Sequence, residues 1–123
     1  MHIRSRSSAT AYRTKDTSVI REIAHPMYRV GVGQSLAEAT LPLGAQTEAH
    51  FHPCTEELYY VLAGDGVVRI EDEEAALKAG DAVSIPPGAR HQIRNAGEVD
   101  LVFLCCCTPA YSHEDTVLCK SLF

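Results

Sequence analysis

Apolar residues in this chain come in short runs, most of them alternating with polar residues and separated by glycine, proline and aspartate. In Glu57-Leu58-Tyr59-Tyr60-Val61-Leu62 the period is two, so Leu58, Tyr60 and Leu62 share one face and Glu57, Tyr59 and Val61 the other. Further strands are expected over Val67–Ile70, Ala75–Leu77, the residues up to Ile85, and from His91, with turns at Ala63-Gly64-Asp65-Gly66, Ala79-Gly80-Asp81 and Asn95-Ala96-Gly97-Glu98. Leu101-Val102-Phe103-Leu104-Cys105-Cys106-Cys107 is apolar without alternation. A strand apolar on both faces has to be covered on both, by the interior and by either a second sheet or another subunit, and this run is the main sequence indication of a homodimer. Many short strands with closely spaced turns and no convincing helix predict an all-β sandwich or barrel.

Two segments leave alternatives. Gln34 to Leu41 has helical propensity, but the glycines before it and Pro42-Leu43-Gly44 after it favour a strand. On that strand Gln34, Leu36, Glu38 and Thr40 oppose Ser35, Ala37 and Ala39. Facing inward, Gln34 and Glu38 would address a ligand; facing outward, they would be solvated. Glu71-Asp72-Glu73-Glu74 reads as a solvated hairpin tip, because it lacks the alternating carboxylates and central glycine of a calcium loop.

The length of 123 residues suits one domain, 1–123, with residues 1–17 as a polar arm or edge strand and 108–123 as a C-terminal extension or a lid. A net charge of −5 argues against a nucleic-acid partner, whose phosphates are met by Lys and Arg. No run approaches the length of a membrane span, and the first residues lack the apolar core of a signal peptide. A cytoplasmic protein is expected. The five cysteines form no framework of spaced pairs and read as free thiols.

The candidate chemistry lies between Gly44 and Asn95. His50 and His52, two apart on a strand, point to one side with Cα atoms about 6.6 Å apart. If the strand carrying Glu57 pairs with theirs, that carboxylate returns towards the imidazoles. His91, after the Pro86-Pro87-Gly88 turn, offers a fourth donor. Imidazoles with one carboxylate suit a single divalent transition metal ion: zinc, iron, nickel, manganese or copper. His25, beside Pro26, reads as a surface or supporting residue, since four donors already complete a site.

These two stretches resemble the paired signature motifs of the cupin superfamily. The first pattern, G-x5-H-x-H-x4-E-x6-G, is filled by Gly44, His50, His52, Glu57 and Gly64; the second, G-x5-P-x-G-x2-H-x3-N, by Gly80, Pro86, Gly88, His91 and Asn95. The resemblance implies a jelly-roll barrel (double-stranded β-helix), places a strand before the first motif, and makes His50, His52, Glu57 and His91 the metal ligands. The stretch Glu57 to Gly64 is similar to that of single-domain cupins compared with mannose-6-phosphate isomerase. Those enzymes need basic residues for a phosphate, and only Arg90 and Arg94 flank the second motif, Arg94 on the face opposite His91.

Four protein donors on an octahedral ion leave two neighbouring positions for a small-molecule ligand. The expected reaction is metal-dependent isomerisation, elimination or cyclisation of a small oxygenated metabolite through a metal-stabilised enolate, with Tyr59, two residues beyond Glu57, as the proton-transfer group. A dioxygenase using a redox metal and O2, and a cupin that binds a small ligand without converting it, are the alternatives. Fold and ligands do not choose among them.

Overall fold

The computed structural model describes residues Met1–Phe123. Eleven strands follow one another: β1 (Tyr12–Arg13), β2 (Val19–Ala24), β3 (Ser35–Leu41), β4 (His50–Phe51), β5 (Glu56–Ala63), β6 (Asp65–Ile70), β7 (Glu73–Lys78), β8 (Ala82–Ile85), β9 (His91–Asn95), β10 (Leu101–Thr108) and β11 (Val117–Leu118). They form a six-stranded antiparallel sheet in the order β1-β2-β3-β10-β5-β8 and a five-stranded one in the order β11-β4-β9-β6-β7. Gln34–Leu41 is thus strand rather than helix, as its flanks predict, and the helical content is two short 3-10 turns at Arg6–Ser8 and Pro26–Tyr28. No helix is long and apolar enough to cross a membrane.

The core fills the space between the sheets with one residue in two from each strand. Ala37, Ala39 and Leu41 of β3, Tyr59 and Val61 of β5, and Leu101 and Phe103 of β10 come from one side; Val68 of β6 and Ile93 of β9 come from the other. The period-two reading of β5 holds throughout: Glu57, Tyr59 and Val61 are buried, whereas Leu58, Tyr60 and Leu62 remain 42–43% exposed. In β10, Leu101, Phe103 and Cys107 point inward, and Val102, Leu104 and Cys106 are half-buried on the outer face beside β5.

The strand register decides the open question at β3. Ser35 and Ala37 face the interior, so Glu38 lies on the outside of the sheet. It is not solvated there: the Arg6 guanidinium donates to both carboxylate oxygens, at 2.7 to 2.9 Å, and covers them. This pair, chiefly through its hydrogen bonds, holds the Glu38 carboxyl below its ordinary range. The acidic run is also shorter than expected as a loop, because Glu73 and Glu74 already belong to β7, paired with Ile70 and Arg69.

Gly64 ends β5 and leads directly into β6 with φ +84°. A Cβ here would stand 2.5 Å from the Asp100 carbonyl oxygen and 3.0 Å from the Leu101 Cα, so left-handed backbone and close approach both require glycine. Gly80, at φ +92°, has open space where its Cβ would be. Gly80→Ala is therefore expected to cost only the left-handed penalty of about 1–2 kcal/mol, and Gly64→Ala to cost clearly more, as read from urea unfolding of both variants.

Candidate metal centre

The centre forms where the two sheets face each other. His50 in β4 is paired directly with His91 in β9, and their rings lie 4.2 Å apart between centroids. His52 follows β4 by one residue, and its ring centroid is 5.0 Å from that of His50. Glu57 comes from the opposite sheet. β4 and β5 do not pair, contrary to the hairpin that would return the carboxylate along the same sheet; β5 lies between β10 and β8, and Glu57 reaches the imidazoles across the interior. All four side chains are buried, and their donor atoms lie within 4.8 Å of one another.

Each imidazole is oriented through its outer nitrogen. Nδ1 of His50 lies 2.8 Å from the Glu48 carbonyl, Nδ1 of His52 is 3.0 Å from the Asp115 carbonyl, and Nδ1 of His91 is 2.9 Å from the Ala89 carbonyl. A carbonyl oxygen only accepts, so each Nδ1 carries the hydrogen, and a neutral ring then presents an unprotonated Nε2 inward. That is the arrangement a metal-binding histidine requires.

Two atoms of the cluster lack a hydrogen-bond partner: Glu57 Oε2 and His91 Nε2, both buried. His52 Nε2 lies 2.8 Å from Glu57 Oε2 and His91 Nε2 lies 3.7 Å from it, but neither approach has hydrogen-bond alignment. Polar atoms buried without partners are costly, and one cation at their meeting point would satisfy both. The residues therefore fit a divalent ion. Burial, and after it the neighbouring His50, lowers the His91 pKa to about 4. For His52 burial acts downward as well, but the Glu57 carboxylate outweighs it and the pKa is raised.

Beyond the four ligands lies a cavity of about 40 Å³, which His50, His52 and Glu57 line together with Asp16, Glu22, Ser35 and Tyr111. Asp16 belongs to the N-terminal arm and Tyr111 to the C-terminal tail, so both ends of the chain contribute walls. The arm forms edge strand β1 on β2, and the tail forms β11 on β4. Asp115 in the tail also accepts hydrogen bonds from the Cys54 and Thr55 amides in the turn after His52. Sequence reasoning missed these residues. Glu22 had a signal, alternation with the apolar Ile20 on β2; Asp16 and Tyr111 had none.

His25 and Tyr59 take different positions. His25 accepts from the Met27 amide and bonds the Tyr111 carbonyl, away from the centre. Tyr59 is buried with its ring 4.8 Å from Phe103 and 6.0 Å from His91, and it is absent from the cavity wall. Burial, followed by the Glu57 charge, pushes its phenol well above the ordinary value.

Two antiparallel sheets with a buried three-histidine, one-glutamate cluster between them define a jelly-roll protein with a site compatible with a divalent metal ion. The family model for the cupin domain matches residues 37–107, and the chain belongs to that family. An uncharacterised protein of Methanocaldococcus jannaschii is 50% identical over 105 residues, 85% of this chain and 84% of its own. An oxalate-binding protein of Thermotoga maritima is 34% identical over 86 residues, 68% of this chain and 71% of that one. Among solved structures, a predicted oxalate decarboxylase of Thermotoga maritima matches with a TM-score of 0.76 at 26% identity, over 87% of this chain and 98% of that one. The nucleoside dehydratase Pac13 of Streptomyces shares the fold alone, with a TM-score of 0.80 at 15% identity, over 100% of this chain and 94% of that one.

Loading with zinc is expected to give one ion per chain and to raise the melting temperature with metal concentration. Glu57→Gln or His91→Gln should weaken zinc binding by more than the roughly 10- to 100-fold that losing an outer hydrogen-bond partner costs. Unchanged zinc affinity in both variants would place the ion elsewhere.

In chelator-treated protein, folded His91 stays neutral down to about pH 4, whereas an unfolded imidazole takes up its proton near pH 6.5. The unfolded state binds the extra proton between these values, so stability contributed by His91 falls as pH is lowered through that window. His91→Gln removes this contribution, and its melting temperature should change less with pH over the same range than that of the parent.

Proposed function

We propose that the protein is a metal-dependent isomerase, lyase or cyclase that acts on a small oxygenated metabolite. The observation that carries this reading is the cavity: beside three inward-facing imidazole nitrogens and a carboxylate it is walled by groups able to exchange protons or hydrogen bonds, among them Asp16, Ser35 and Tyr111. His50, His52, Glu57 and His91 would hold a divalent ion, which would supply Lewis-acid polarisation of a ligand carbonyl. Zinc, iron, nickel, manganese and copper all accept this donor set. The chain's own residues then orient the ligand, limit its size and transfer the proton.

Two tyrosines are candidates for that proton. Tyr59 shares the inner face of β5 with Glu57, and Tyr111 lines the cavity with its pKa raised to about 12, mainly by burial. Exposure to the cavity favours Tyr111. Ligand-holding without turnover is the second reading, supported by the similarity to the Thermotoga oxalate-binding protein.

A screen of small hydroxy-carbonyl compounds on the zinc-loaded chain tests the proposal. Product is expected under nitrogen, and Tyr111→Phe should lower kcat by about 10²-fold or more, with the larger loss in Tyr59→Phe assigning the step to Tyr59 instead. Turnover only with oxygen and a redox metal would replace this reaction with dioxygenation. Binding without product under all conditions would leave the holding role.

The reading extends to a cytoplasmic, single-domain homodimer. All five cysteines are free, which suits a reducing compartment. Leu58, Tyr60 and Leu62, with Leu104 and Cys106 beside them on β10, make an apolar stripe on the outer face of the larger sheet. Sedimentation of the parent chain as a dimer and of Tyr60→Glu as a monomer is the expected result; a monomeric parent would remove the homodimer.

A further inference from the structure

Two carboxylates face the cavity without serving the ligand set. Asp16 is fixed through one oxygen: Oδ1 accepts from the Thr14 hydroxyl, the Ser18 amide at 3.0 Å and the Ser18 hydroxyl at 2.6 Å. Its Oδ2 has no hydrogen bond within the chain and lies 3.7 Å from His50 Nε2, the nitrogen that points at the metal position. Glu22 is 4% exposed and lines the same cavity. Its Oε2 accepts from the Tyr12 hydroxyl at 3.3 Å, while its Oε1 is buried with no partner. An anchored carboxylate with one free oxygen, beside a second whose buried oxygen is unsatisfied, calls for a donor that the chain does not provide.

No lysine or arginine lines the cavity. The nearby cations stay outside its wall: Lys15 donates to the Thr116 carbonyl, Arg4 to the backbone carbonyl of Glu22, and Arg21 to the Ala9 carbonyl. A divalent ion brings two positive charges and Glu57 and Asp16 two negative ones, so these groups leave no surplus; Glu22, whose carboxyl pKa burial raises, adds negative charge when ionised, with Arg4 acting against it. A dianion would therefore enter an enclosed site holding no surplus positive charge, where repulsion is poorly screened. A hydroxyl group would instead meet free acceptors. At about 40 Å³ the cavity has room for a few heavy atoms, since roughly 10–15 Å³ admits one water.

We propose that this cavity takes a small uncharged polyol or hydroxy-carbonyl compound whose hydroxyl donates to Asp16 Oδ2, and that Asp16 and Glu22 select against dicarboxylates such as oxalate. This rests on the metal-centre reading and specifies the substrate class for it.

The test uses the full-length zinc-loaded chain at pH 8, with zinc content measured first and the affinities of two probes, oxalate and dihydroxyacetone, measured by calorimetry. Asp16→Asn is expected to tighten oxalate by about tenfold or more, because a like charge is removed, and to weaken dihydroxyacetone by about threefold or more, because a neutral amide is a poorer acceptor. Glu22→Gln should tighten oxalate in the same direction, and it decides the matter if Asp16→Asn does not fold. Variants with full zinc content whose oxalate affinity is unchanged or lower would overturn the proposal while leaving the metal centre standing. A parent chain that takes up no zinc would overturn the metal centre, and this inference with it.

Discussion

Three backbone carbonyls, those of Glu48, Ala89 and Asp115, hold the outer nitrogens of His50, His91 and His52. Because a carbonyl can only accept, each bond chooses the tautomer and the ring orientation together, and the inner nitrogens converge. At His52 the Thr116 hydroxyl also approaches the same nitrogen, at 3.2 Å. The first two carbonyls are two residues before the ring they hold, so local strand geometry sets them, but the third comes from a residue sixty-three positions away. The centre therefore depends on the tail being in place, and Asp115 secures that through the amides of Cys54 and Thr55.

The apposition of the sheets does the remaining work. His50 and His91 are neighbours on one sheet, whereas Glu57 crosses from the other, and the gap between the layers is filled by Tyr59, Phe103, Val61 and Ile93 except near the cluster. An interior packed this closely has little freedom to adjust. Burial there raises the Tyr59 phenol and the Cys105 thiol well above their ordinary values, so these groups stay neutral beside the site.

The ligand set and the opposite wall of the cavity come from different parts of the chain. Two histidines and an acid on adjacent stretches, joined by a third histidine, define the ion's surroundings and say little about the opposite wall. In this chain that wall is built by the arm and by β2, and it is acidic, through Asp16 and Glu22. If that wall selects the ligand, as proposed above, specificity lies in segments outside the family match over residues 37–107.

The strands were legible because period-two alternation reports which face meets the core, as in β5, where every second side chain from Glu57 to Val61 is buried. The ligands were legible for a related reason: their spacing is set by strand geometry and by glycine and proline turns, which are local. What lay outside local rules was decided by the tertiary structure alone. Alternation on β3 could not say which face was inside, and Glu38 turned out to be an external partner of Arg6. A hairpin between the strands of His50 and Glu57 satisfied the sequence as well as the crossing between sheets that occurs. The roles of Asp16 and Tyr111 arise from polar segments at opposite ends of the chain that have no periodicity, and only folding brings them to the same cavity. Local pattern determines which way a side chain points along its own strand; which strand stands opposite is settled by packing between distant parts of the chain.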